Sequence, residues 1–158
     1  MIQLIVDALV NSSESTLFLE GKEVGVVVSD SLSSSRGFAA YTSSDWQGDE
    51  YKFTIEFDKK YVDSYKQKKS PITRALVAHE LGHIFSGRLT DGITNEVFKD
   101  EQEADCWAVK ELIRNEDYEA LSSLYGFYKR RSGDESSGYP GRETQIRNLD
   151  LCNTSTTR

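Results

Sequence analysis

Apolar residues recur with period two in the first third of the chain and with a helical period in most of the remainder. That change of rhythm restricts the fold more than any other feature. Residues 50–58 (EYKFTIEFD) show the first rhythm plainly. Tyr51, Phe53, Ile55 and Phe57 fall on one face, and Lys52, Thr54, Glu56 and Asp58 on the other, as in a half-buried strand. Residues 37–43 form its predicted hairpin partner across the turn-like stretch SDWQGD. An earlier hairpin joins 16–20 to 23–29 around Gly21-Lys22. Residues 31–36 read as a polar loop, and residues 2–10 suit a strand or a helix.

The helical rhythm begins after a charged stretch, 59–68, that is itself a short helix or a loop. Ser70-Pro71 supplies an N-cap and a proline at the first helical position. The helix they start runs to about Ser86 and stops at Gly87. After a loop at 88–96, further helices are predicted over about 97–114 and 117–131. A polar tail, 132–158, holds one ordered-looking patch at 138–151. Strands followed by helices argue for an α+β fold with segregated layers, not a doubly wound parallel sheet. We expect one domain over 1–158, with a strand-rich part (1–58), a helical part (70–131) and the tail.

Charge narrows the partners. The 158 residues carry a formal net charge of −7, which disfavours nonspecific contact with nucleic acid or an anionic membrane surface. No segment approaches the roughly 20 apolar residues of a membrane-spanning helix. The opening MIQLIVDALV lacks the basic start and cleavage site of a secretory leader. The expected compartment is therefore cytoplasmic, or extracellular if a leader has been removed. Two cysteines, Cys106 and Cys152, are too few for a disulfide scaffold. They read as free thiols, with a single bridge as the alternative. Cys152 is also a minor candidate for a thiolate that plugs a metal site.

Both histidines of the chain lie in AHELGH (78–83). At about 100° per residue, His79 and His83 sit about 40° apart on one helical face, one turn from each other, so both imidazoles can converge on one cation. Glu80 projects to the same side. It can reach a water held there without being a ligand. A catalytic zinc takes three protein ligands and keeps one position open.

The helix over 97–114 offers the third ligand. Its apolar stripe is Val97, Phe98, Ala104, Ala108 and Leu112, and Glu101 and Asp105 fall inside it. A carboxylate turned toward a core is costly without a partner. Glu101 is therefore the expected third ligand. Asp105, one turn on, is the expected acceptor for the outer ring N–H of His79. If the helix is rotated so that both see solvent, Asp100 and Glu103 are the fallback ligands.

HELGH followed by Glu101 and Asp105 resembles the gluzincin class of zinc metallopeptidases, including the thermolysin-like enzymes and the single-domain minigluzincins. EQEADCWAVKEL (101–112) is similar to the metal-binding helix of the HtpX-like and CAAX-prenyl-protease families. In the tail, Tyr139-Pro140, Ile146 and Leu149 match those families, but Tyr139 stands where they carry His and Gln145 where they carry Arg. ImmA/IrrE-like peptidases are the near alternative, with Asp105 where they often have Asn.

The resemblance implies a zincin-like fold and a peptide or protein substrate. Substrate would bind by adding an extended strand to an edge strand over the metal helix, here assigned to 51–57 with its row Tyr51, Phe53, Ile55 and Phe57. The expected activity is that of a zinc-dependent endopeptidase. Zn²⁺ sits on His79, His83 and Glu101, Glu80 is general base and acid, and Tyr139 is the candidate second donor to the oxyanion. A non-catalytic zinc-binding regulatory or interaction module is the alternative.

Overall fold

The computed structural model describes residues 1–36, 38–86, 97–131 and 140–156. Among these run α1 (Ile2–Asn11), β1 (Glu14–Leu19), β2 (Lys22–Ser29), α2 (Leu32–Arg36), β3 (Ala40–Trp46), β4 (Tyr51–Asp58), α3 (Lys59–Lys68), α4 (Pro71–Phe85), α5 (Val97–Arg114), α6 (Tyr118–Lys129) and α7 (Arg142–Thr156). The class is α+β, with a four-stranded mixed sheet in the order β1-β2-β4-β3. None of the described helices is long and apolar enough to cross a membrane.

Residues 2–10 resolve as helix. Ile2, Ile5, Val6 and Leu9, spaced 3, 4 and 7 from the first, form its buried face. The first hairpin turns at Glu20-Gly21, one residue before the expected pair, because Lys22 already pairs with Leu19. Both turn residues have positive φ, 50° and 80°, as a two-residue hairpin turn of this hand requires. The expected loop at 31–36 contains the short helix α2. Leu32 is buried there, and the Ser33 N–H and hydroxyl both donate to Asp58. Asp58 also accepts from the Lys60 N–H and so caps α3. Its carboxyl lies below the usual range: burial pushes it up, and these donors outweigh that.

The sheet corrects the assignment of the edge strand. β4 is interior: it pairs in parallel with β2 (Val24↔Phe53 to Ser29↔Asp58) and antiparallel with β3 (Ala40↔Phe57 to Trp46↔Tyr51). With neighbours on both sides it has no free edge for a peptide. Its row Phe53, Ile55 and Phe57 is buried, with Tyr51 packed beside it, and belongs to the core. The strand at the sheet's edge that touches α4 is β3.

α4 is the centre of the molecule, in contact with α1, α3, α5, α6 and β3. Every residue from Ala75 to Ile84 is buried. A helix buried on all faces needs apolar residues all round, and ALVAHELGHI supplies them except at three positions. Those three are His79, Glu80 and His83. Ser70 stands at the N-cap, but its side chain makes no capping bond; Pro71 starts the helix. At this end Arg74 forks onto Asp117, at 2.6 and 2.9 Å, and Asp117 caps α6 through the Ala120 N–H.

The cysteines are not free thiols. Cys106 on α5 and Cys152 on α7 form a disulfide, with Cα atoms 5.0 Å apart. The tail helix packs along α5, which brings together two residues 46 apart in sequence. Cys152, already bonded and itself buried, has no thiolate to offer a metal.

Candidate metal centre

The buried residues of α5 are Glu101, Ala104, Asp105, Ala108, Val109, Glu111 and Leu112, and the two carboxylates of its first half, Glu101 and Asp105, flank Ala104. At Ala104 the helix meets α4 at very short range. A methyl group on Gly82 would lie 2.5 Å from the Ala104 carbonyl oxygen, 2.7 Å from its Cα and 2.9 Å from its carbonyl carbon. Glycine at 82 and alanine at 104 let the two backbones touch, and the contact brings Glu101 over the histidines.

His79, His83 and Glu101, all buried, then share one point. The two imidazole Nε2 atoms are 3.1 Å apart, and Glu101 oxygens lie 3.3 Å from His79 Nε2 and 3.5 Å from His83 Nε2. The outer nitrogens are engaged as well. His79 Nδ1 is 2.9 Å from Asp105 Oδ1, and His83 Nδ1 is 3.1 Å from Asp100 Oδ2. A carboxylate on each Nδ1 fixes a proton there and makes Nε2 the inward nitrogen, the one free to bind a metal once it sheds its own proton. Tyr128 of α6 donates its hydroxyl to Asp105 Oδ1 at 2.6 Å, holding that carboxylate from behind. Glu80 is buried on the same helix as the histidines, and its carboxylate accepts from the Thr42 hydroxyl of β3.

The electrostatics of the cluster favour positive charge. Burial alone would push the His79 imidazole down, but Asp105 and Glu101 outweigh it and hold the group well above its ordinary range. Burial opposes the charged form of His83 too, and Asp100 and Glu101 again raise it. Glu101 is buried, which raises a carboxyl, yet the hydrogen bond and charge of His79 pull it below the usual range. Asp105 goes the other way, raised by complete burial despite His79 and Tyr128. Burial and the neighbouring Asp105 hold the Tyr128 phenol well above its ordinary value. Asp100 Oδ1 and Asp105 Oδ2 are buried with no hydrogen-bond partner among the described residues.

His79, His83, Glu101 and Asp105, each expected at one site, thus lie together, and Glu80 is near enough to act on the charge of His83. Tyr139 lies outside the described residues. The Tyr51-to-Phe57 row lies in the core and not at the site. Three participants are not evident from sequence. Asp100 is there only a fallback ligand. Tyr128 reads as a packing residue, although it continues the buried stripe Ala120, Leu121 and Leu124 of α6 and brings a hydroxyl that needs a partner. Thr42 is a polar residue on the core face of a strand, a signal that alternation alone could supply. No protein-family model matches this chain, and no curated protein or solved structure matches it.

Proposed function

We propose that this chain is a zinc-dependent endopeptidase of zincin-like fold, akin to the gluzincins its motifs resemble. One observation carries the reading. Tetrahedral zinc with bonds of about 2.0–2.1 Å separates its ligand atoms by about 3.3–3.4 Å. Here the two Nε2 atoms stand 3.1 Å apart, with Glu101 Oε2 3.3 Å from His79 Nε2 and Glu101 Oε1 3.5 Å from His83 Nε2. Two imidazoles and one carboxylate are a zinc donor set, and three ligands leave one corner open, as a catalytic site requires. The Asp100 and Asp105 carboxylates, bonded to the outer imidazole nitrogens, add negative charge behind the two histidines, which suits a dication.

His79, His83 and Glu101 would hold the zinc, which would supply Lewis acidity toward a water and a carbonyl oxygen. The protein's own groups do the rest. Asp105 and Asp100 keep both imidazoles in the tautomer that turns Nε2 inward. Glu80 takes the proton from the attacking water and hands it to the departing amine nitrogen. β3, at the edge of the sheet and against α4, is the strand to which an extended peptide would add. The Cys106–Cys152 bridge favours an oxidising compartment, the extracellular branch of the expectation, over the cytoplasm.

The test pairs metal analysis with cleavage of an unstructured protein by the wild type and Glu80→Gln. We expect about one zinc per chain in both, and a rate at least about 10²-fold lower in the variant. Cleavage that survives the substitution, or a chain that takes up no zinc, refutes the peptidase. Zinc at full occupancy with no cleavage by the wild type would leave the non-catalytic zinc module.

A further inference from the structure

β3 is unlike its neighbours on the face it turns to the helices. The inner strands present Val24 and Val26, and Phe53, Ile55 and Phe57. β3 presents Ala40 and Thr42, with Thr42 paired in register opposite Ile55. A hydroxyl in that row is 6% exposed and must find a partner within the protein. It finds one on α4, 38 residues further along the chain, at Glu80.

The hydroxyl stands 3.3 Å from the Glu80 backbone carbonyl and closer to the Glu80 carboxylate oxygen Oε2. A threonine has one hydroxyl proton, and the shorter, charged acceptor takes it. Glu80 is 4% exposed, so little water competes for that oxygen. Its Oε2 is therefore tied to the sheet. From this geometry we propose that Thr42 is a positioning residue: its hydroxyl fixes the Glu80 carboxylate in the orientation needed for proton transfer. The proposal rests on the peptidase reading, in which Glu80 handles the proton.

The experiment compares wild type, Thr42→Val, Thr42→Ser and Glu80→Gln, all zinc-loaded, on one unstructured protein substrate. Valine keeps the shape and the strand preference of threonine and removes only the donor. A hydrogen bond to a charged group sets the scale, so kcat should fall about 10- to 100-fold in Thr42→Val. KM should stay within about twofold and zinc content should be unchanged, because Thr42 is not a ligand. Thr42→Ser should restore kcat to within about threefold of wild type. Crystal structures give a readout independent of activity: the Glu80 carboxylate should leave its wild-type position in Thr42→Val and return to it in Thr42→Ser.

A wild-type kcat in Thr42→Val, equal losses in the valine and serine variants, or an unmoved Glu80 in Thr42→Val would each overturn the positioning role. If those results come with active wild type and inactive Glu80→Gln, the peptidase stands and only the role of Thr42 falls. A zinc-loaded wild type that cleaves nothing would remove both.

Discussion

Replacing Gly82 by alanine puts the α4–α5 contact to a quantitative test. The new methyl would stand 2.5 Å from the Ala104 carbonyl oxygen, against the 3.4 Å at which ordinary contact begins. All three nearest atoms are backbone, so no side chain can swing aside and α5 itself must retreat by about 0.9 Å, the difference between those distances. Two effects oppose each other. Alanine is better than glycine inside a helix by up to about 1 kcal/mol. Overpacking costs about 1–3 kcal/mol, and a rigid obstacle places this site at the upper end. We expect a net loss of about 2 kcal/mol in urea unfolding of the metal-free protein. Glu101 lies one turn from Ala104 and moves with it. Metal–ligand distances tolerate about 0.2 Å, so the retreat should weaken zinc by at least about tenfold in a chelator competition. A Gly82→Ala protein more stable than wild type, with wild-type zinc affinity, would refute the claim that close backbone approach builds the site.

Three further outcomes depend on the same geometry. Tyr128→Phe removes the donor behind Asp105 and should weaken zinc about tenfold in the chelator assay, leaving Glu101 and both histidines in place. Asp117→Ala loses the α6 cap and the fork onto the partly buried Arg74, which keeps only Glu119 at 3.8 Å, so urea unfolding should show a loss of about 2 kcal/mol. Stability of the metal-free protein should depend on pH with a definite sign. The raised histidines contribute fully below the ordinary imidazole value of 6.5, and their contribution is lost as pH rises through their elevated folded values. Glu101 contributes above 4.5 and loses its contribution as pH falls through its depressed value. Thermal scans should therefore show the metal-free protein weakening as pH rises above 6.5, while zinc affinity rises with pH because ligands must shed protons to bind. Stability that climbs with pH in the absence of metal would contradict this assignment.

The motif residues are the legible part of the sequence because local geometry determines them. Histidines four apart on a helix must share a face, and carboxylates inside an apolar stripe must face inward whatever lies opposite. The bounds of α5 can be read for the same reason, from a long, strongly periodic segment. The hidden part depends on partners distant in the chain. Nothing in EYKFTIEFD says that β2 will pair with it in parallel, and that pairing turns an expected edge strand into an interior one. The same applies to the cysteines, whose joining depends on how α7 lies along α5. Thr42 and Tyr128 look ordinary in sequence because a hydroxyl does not announce its acceptor; only the packing of β3 and α6 against α4 reveals Glu80 and Asp105 on the other end.

The covalent tie between α5 and α7 bears on how the molecule would age. Any single backbone cut between residues 106 and 152 leaves both pieces attached through sulfur, so the helix carrying Glu101 keeps its C-terminal companion after nicking. Such damage escapes notice on a gel run without reducing agent and shows as two bands once thiol is added. The bridge turns a break that would otherwise shed α7 into a scar the fold can carry.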